Sequence, residues 1–170
     1  MEVILRKATE QDATLLYNIG MESYLYHFAK LWLHADELAS YLYHEYSPHK
    51  IIDDINRPDT DWFIIENTQP IGIVKLTYHA AITNESIIGT QLNKLYFLPT
   101  ATGKGNGKSI FNQIESLAKQ HGDRLLWLDV LAENHSAVNF YQANGMSKFK
   151  ETAFTHHSQQ SIAFIMSKTL

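Results

Sequence analysis

Between Thr102 and Ser109 the chain reads Thr-Gly-Lys-Gly-Asn-Gly-Lys-Ser, with an apolar run before it and an amphipathic run after it. Glycines at alternate positions 103, 105 and 107 demand a tight passage from a strand into a helix, which restricts the fold more than any other stretch. Glycine enters conformations closed to residues with a Cβ, so successive amides can turn toward one anion beside a helix start. The helix dipole adds favourable potential for that anion. A phosphate cradle and a plain flexible turn both satisfy the glycines, and the surroundings must decide between them.

The rest of the composition narrows the field. A chain of 170 residues, 45% hydrophobic and 19% charged, reads as one ordinary globular domain over residues 1–170. It contains no cysteine, which excludes disulfides, thiolate metal sites and cysteine nucleophiles together. No apolar stretch approaches the roughly 20 residues of a membrane span. Met1-Glu2-Val3-Ile4-Leu5-Arg6 does not read as a signal peptide, so the expectation is a cytoplasmic protein that does not engage a membrane. A net charge of -4 without a long basic run argues against nucleic acid and suits a cationic small molecule. The nine histidines are scattered, among them His27, His34, His44 and His49, and no HExxH or related carboxylate spacing joins them, so no metal site is expected.

Periodicity gives an α/β chain of mixed order. Glu2 to Lys7 reads as a strand, and Thr9 or Asp12 can cap a helix with Leu15, Leu16 and Ile19 on one face. Helices are expected over Asp36 to Tyr46 and, from the Ser47-Pro48 start signal, to about Asn56. Strands follow over Asp61 to Glu66, Ile71 to Tyr78 and Ile87 to Leu98, the last as an antiparallel partner. After the glycines, Ile110, Phe111, Ile114, Leu117 and Ala118 share a helical face that ends at Gly122. A buried strand over Arg124 to Leu131, a helix over Ser136 to Asn144 and a hairpin of Met146 to Thr155 with Ser161 to Lys168 complete the pattern, with His156-His157 near the turn.

Two nucleotide motifs fail by one residue each. A Walker A loop needs glycine where Thr102 stands, although Gly107-Lys108-Ser109 and Leu125-Leu126-Trp127-Leu128-Asp129 imitate a P-loop protein. A GxGxxG starting at Gly103 needs glycine at Lys108. Both folds also require a parallel βαβ unit, whereas the preceding segment reads as an antiparallel meander.

Leu92-Asn93-Lys94-Leu95-Tyr96-Phe97-Leu98-Pro99, the glycine loop, and Leu128-Asp129-Val130-Leu131-Ala132-Glu133-Asn134 with Ala137, Phe140-Tyr141 and Gly145-Met146 together resemble the GNAT superfamily of N-acetyltransferases. Gly105 and Gly107 fill that family's small loop positions, and Thr102 stands where Arg or Gln is usual. Tyr24 to Phe28, Tyr41-Leu42, Tyr46-Ser47-Pro48 and Ile71 to Leu76 are similar in order to the spermidine/spermine acetyltransferase branch. The resemblance implies a central mixed, mostly antiparallel sheet of six to seven strands flanked by helices, and transfer of acetyl from acetyl-CoA to a primary amine. The acceptor would be a polyamine-like or amino-acid-like small molecule, and the protein a monomer or homodimer.

The same resemblance implies the places of the site residues. Amides of Gly103, Lys104, Gly105, Asn106, Gly107 and Lys108 would hold the pyrophosphate of acetyl-CoA. The strand edge over Leu95, Phe97 and Leu98 would pair with the pantetheine arm, and an amide of Phe97 or Leu98 would meet the thioester carbonyl. Tyr141 would be the general acid for the departing sulfur, since a phenol of pKa about 10 is protonated at neutral pH. Asn134 would cap the helix bearing Tyr141 or contact the pantetheine. An amine of pKa about 10.4 costs about 4.6 kcal/mol to deprotonate at pH 7, so a base is needed. Asn93 and Lys94 occupy the strand where this family often has a glutamate, and Glu22, His27, His79 and Asp129 stay open as candidates. Two further readings stand beside the transferase: a P-loop phosphotransferase with Mg²⁺ at Ser109 and Asp129, and a catalytically weak CoA sensor.

Overall fold

Apolar residues fill both faces of the strand over Thr60–Glu66: Phe63 and Ile65 enter one buried cluster, while Trp62 and Ile64 enter another. A strand buried on both faces must be covered by helices on both sides. The computed structural model, which describes residues 2–170, shows that arrangement. Its strands are β1 (Ile4–Lys7), β2 (Thr60–Glu66), β3 (Pro70–Ala81), β4 (Ile88–Phe97), β5 (Leu125–Leu131), β6 (Ser147–His156) and β7 (Gln159–Thr169). They form one seven-stranded sheet in the order β1-β2-β3-β4-β5-β7-β6. Every neighbouring pair is antiparallel except β4 and β5, which are parallel.

The helices are α1 (Ala13–Phe28), α2 (Ala35–Tyr46), α3 (Pro48–Ile55), α4 (Asn106–Gln120) and α5 (His135–Ala143). One layer, α1 to α3, packs on Trp62, Ile64 and Ile73 through Leu16, Ile19, Leu42, Tyr46 and Ile51. The other layer, α4 and α5, packs on Phe63, Ile65, Val74 and Leu76 through Ile110, Phe111, Ile114 and Tyr141. Among the described residues no helix is long and apolar enough to cross a membrane.

Local chemistry explains the boundaries. The carboxylate of Asp12 accepts the Thr9 amide at 2.9 Å just before α1, as a helix start favours. Proline at the first position of α3 has no amide to leave orphaned. The aromatic run Tyr24 to Phe28 belongs to α1, which continues unbroken to Phe28. The glycine segment is shorter as a loop than the spacing predicts, because α4 already begins at Asn106 and Gly107 and Lys108 lie in its first turn. The antiparallel meander expected before the glycines is present as β2, β3 and β4. β4, α4 and β5 then form a parallel crossover unit, so lack of such a unit does not separate this chain from the nucleotide folds. Local periodicity cannot reveal which strand a crossover helix returns to.

A buried ion cluster ties α3 to the sheet. Lys75 Nζ on β3 lies 2.8 Å from Asp54 Oδ2 on α3, Lys50 reaches Oδ1 at 2.7 Å, and the Trp62 indole donates to Oδ2 at 3.1 Å. Burial alone would raise the Asp54 carboxyl, but hydrogen bonds from Lys50 and Lys75 outweigh it and hold it below the usual carboxylate range. Removing the carboxylate leaves Lys75 buried and uncompensated. Asp54→Ala is therefore expected to cost about 3–5 kcal/mol in denaturant unfolding, while disrupting the exposed pair Arg57–Asp59 should leave the unfolding midpoint almost unmoved.

Candidate active site

β4 and β5 share only two rungs, Thr90 opposite Leu126 and Gln91 opposite Trp127, before they part. At the join a Cβ on Gly89 would lie 2.4 Å from the Leu125 carbonyl oxygen, so only glycine lets the strands meet there. Beyond the last rung a cleft of about 810 Å³ opens.

The antiparallel ladder with β3 decides which backbone groups of β4 face this opening. The Leu98 amide donates to the Ile71 carbonyl at 2.8 Å, which makes that rung a hydrogen-bonded one. Alternation then turns the backbone groups of Phe97, opposite Gly72, and of Leu95, opposite Val74, away from β3 toward the cleft. His27 Nε2 lies 3.3 Å from the Phe97 carbonyl on that open side. Leu98 is corrected accordingly. Its amide is taken, it packs in the cluster beneath α1 to α3, and it does not line the cleft.

The three glycines have different reasons. Gly103 and Gly105 adopt φ of 71° and 75° with nothing within 4 Å of an added Cβ, so there the conformation requires glycine. Gly107 lies in ordinary helix, but a Cβ would come within 2.8 Å of the Phe140 ring. Gly105 is the N-cap of α4 and carries no side chain to accept the first-turn amides. No amide from Thr102 to Ser109 donates to an acceptor outside α4 among the described residues. Those donors lie at the mouth of the cleft, and Lys104 and Lys108 beside them enter none of the ion pairs found there. Thr102, where a longer polar side chain is usual in the resemblance, turns inward and donates to the Pro99 carbonyl at 3.0 Å.

α5 borders the same cleft beside α4. Asn134 is its N-cap, accepting the Ala137 amide at 3.2 Å, and Asn134 also lines the cleft. One turn of helix separates Ala137 from Tyr141, whose ring packs against Phe111 and Phe140 while its side chain lines the cleft. Burial holds the Tyr141 phenol well above its ordinary pKa, so it keeps its proton across the neutral range.

The far end of the cleft carries an aromatic wall that composition reads only as core. Tyr24 and Phe28, one turn apart on α1, have ring centroids 4.7 Å apart, and both meet Tyr96 of β4 edge-on. Tyr41 of α2 and Phe154 of β6 extend the wall, their centroids 5.6 Å apart. The turn between β6 and β7 is fastened over this end: Ser158 donates to Glu37, and Gln159 bonds both the Leu33 amide and the Leu31 carbonyl. The i, i+4 spacing of Tyr24 and Phe28 is the only local signal of the wall, since Tyr41, Tyr96 and Phe154 converge from distant segments.

The four candidate bases separate. Glu22 is exposed and outside the cleft, and His79 points Nδ1 at Asp123, 2.7 Å away and also outside it. His27 and Asp129 both line the cleft.

A mixed sheet thus opens between its parallel strands, with an uncapped helix start and a buried phenol on one cleft. Residues 16–146 match the acetyltransferase (GNAT) family, and the chain belongs to that family. The P-loop reading falls with that membership. The chain is 25% identical over 138 residues to an uncharacterized N-acetyltransferase in the pepI 3′ region of Lactobacillus delbrueckii subsp. lactis, covering 79% of each chain. It is 25% identical over 150 residues to the spermidine N(1)-acetyltransferase of Thermoplasma acidophilum, covering 85% of this chain and 88% of that one. Its fold matches the PaiA N-acetyltransferase of Thermoplasma acidophilum, solved with coenzyme A, at a TM-score of 0.78 with 24% identity over 100% of both chains.

The cap on α5 gives a measurable consequence. Asn134→Ala leaves a first-turn amide without its acceptor, and should lower stability by about 0.5–2 kcal/mol, read as a Tm fall on the order of 1–8 °C.

Proposed function

We propose that this N-acetyltransferase moves the acetyl group of acetyl-CoA directly to a primary amine of a small molecule, polyamine-like or amino-acid-like. The observation that carries the reading is the alignment along one cleft of unpaired amides at Gly103 to Lys108, the free edge of Leu95 and Phe97, and the Tyr141 phenol. Such a series matches a ligand that is a pyrophosphate at one end, an amide-bearing arm in the middle and a thioester at the other. The coenzyme A bound by the Thermoplasma PaiA protein and the spermidine relative support it.

The residues divide the work by their chemistry. The α4 start and Lys104 and Lys108 hold the pyrophosphate by charge-assisted hydrogen bonds. The backbone groups of Leu95 and Phe97 pair with the pantetheine arm as a further strand would. The Phe97 amide is then placed to donate to the thioester oxygen as negative charge develops there. Tyr141 donates its proton to the departing sulfur. The aromatic wall of Tyr24, Phe28, Tyr41, Tyr96 and Phe154 offers ring faces to a cationic acceptor.

Thermal shift with coenzyme A, acetyl-CoA and Mg-ATP in parallel tests the binding half. Either coenzyme at one hundred times its dissociation constant should add about 2.7 kcal/mol, on the order of 5–11 °C, and stabilisation by Mg-ATP alone defeats the reading. Release of free thiol with an amine panel then separates an enzyme from a coenzyme sensor. Tyr141→Phe should leave coenzyme A affinity unchanged and lower kcat by about 10²–10⁴-fold; unchanged turnover removes Tyr141 from the reaction.

A further inference from the structure

We infer that the acceptor is a primary amine carrying a single positive charge on an aromatic body, a narrowing that rests on the transferase reading above. Tyr96 precedes Phe97 on β4, and Phe28 follows His27, whose Nε2 meets the Phe97 carbonyl. The aromatic wall therefore begins beside the amide that faces the thioester, and the body of an attacking amine lies against rings from its first carbons onward. Phe28 and Tyr24 meet Tyr96 at interplanar angles of 72° and 86°, and Tyr41 meets Phe154 at 83°. A further ring continues such an edge-to-face series.

The charges around the wall limit the acceptor to one ammonium. On α2, Glu37 and Glu45 stand one turn before and one turn after Tyr41, on the helix face that carries this ring. Neither offers its charge to the cleft. Glu37 Oε1 accepts the Ser158 hydroxyl at 2.6 Å and the Ser158 amide at 3.2 Å, and its Oε2 is shut off from solvent. Glu45 Oε2 is held by Lys94 Nζ at 2.9 Å, and neither residue lines the cleft. Behind the wall three ammoniums, of Lys50, Lys75 and Lys94, share the two carboxylates of Asp54 and Glu45, which leaves positive charge in excess. Asp129 is the only carboxylate lining the cleft among the described residues, and it stands exposed on β5, outside the wall.

A polyamine laid along this wall would bring a second ammonium among the rings, with no carboxylate to meet its N–H donors and lysines behind it. Ring faces attract a cation, but they do not replace the hydrogen bonds of a strongly hydrated primary ammonium, and a buried charge without a partner is disfavoured. An aromatic body has no such requirement. It gains by leaving water and by packing ring against ring. The one ammonium of such an acceptor is the reacting nitrogen, which sheds its charge before it attacks and so needs no permanent counter-ion in the wall.

The experiment measures thiol release by the full chain at saturating acetyl-CoA with 2-phenylethylamine, butylamine, 1,4-diaminobutane and spermidine. Absence of release with all four fails the transferase reading itself. Given turnover, 2-phenylethylamine should exceed each of the other three in kcat/KM by about tenfold or more. Equal or faster turnover of 1,4-diaminobutane or spermidine overturns the single-charge assignment and leaves the transferase reading standing. Parity with butylamine, which has the charge without the ring, overturns the aromatic body. Phe154→Glu sets a carboxylate in the wall, and should move the ratio of kcat/KM between 2-phenylethylamine and 1,4-diaminobutane by about tenfold toward the diamine, with coenzyme A affinity unchanged. An unmoved ratio overturns the place given to the acceptor's body. If Phe154→Glu does not fold, the wild-type ratios decide alone.

Discussion

Two rungs of parallel pairing between β4 and β5 are the constraint on which the rest depends. Were the ladder to continue, the amides and carbonyls of Leu95 and Phe97 would be satisfied by β5 and the sheet would be closed. Because the strands part after Gln91 and Trp127, those groups are left open at the edge of a cleft. Backbone polar groups away from water need partners, so an opening of this kind is stable only when solvent or an extended ligand supplies them. Gly89 permits the contact and Asn93 stands where the register against β3 shifts. Irregularity of that kind re-aims side chains at functional sites, at the expense of ladder regularity.

The helices take their places from the same parting. α4 starts at the mouth of the opening because the chain must leave β4 and cross to β5, and Gly103 and Gly105 give the turn its left-handed geometry. Gly107 allows α4 to approach Phe140 of α5, which draws together the two elements that carry the amide cluster and Tyr141. Opposite them, Asp54 with Lys75 and Glu45 with Lys94 link α3 and α2 to β3 and β4. These ion pairs are not net sources of large stability, since burying charges is itself costly. They do make the position of the α1 to α3 layer specific, and with it the aromatic wall of the cleft.

The legible part of this structure is the part encoded locally. The order of elements follows from periodicity and caps: Ser47-Pro48 does start α3, and Asn134 does cap α5. The glycine turn is legible because left-handed conformations leave a mark in sequence. Gly107 is not, since its reason is a ring that arrives from thirty-three positions later. The parallel join of β4 and β5 escapes for the same reason, as adjacent strands in sequence favour a meander. Leu98 illustrates the limit most directly. Nothing in its neighbours tells which amides of a strand face its partner, and a one-residue change in register would have exchanged the roles of Phe97 and Leu98.

Burial acts on Tyr141 in the direction that suits a proton donor. Removing the phenol oxygen from water disfavours its charged form, so the group holds its proton more tightly than in solution. A phenol already neutral at pH 7 thereby becomes more reliably neutral, available to donate when a thiolate forms. Asp129 lines the same cleft but stands exposed on β5, so its carboxylate keeps its contact with water. Two ionisable groups of one cleft thus meet different environments, as in many paired-carboxylate sites. The parting of β4 from β5 supplies that cleft, so the feature that leaves the backbone unpaired also sets the electrostatic conditions for moving protons within it.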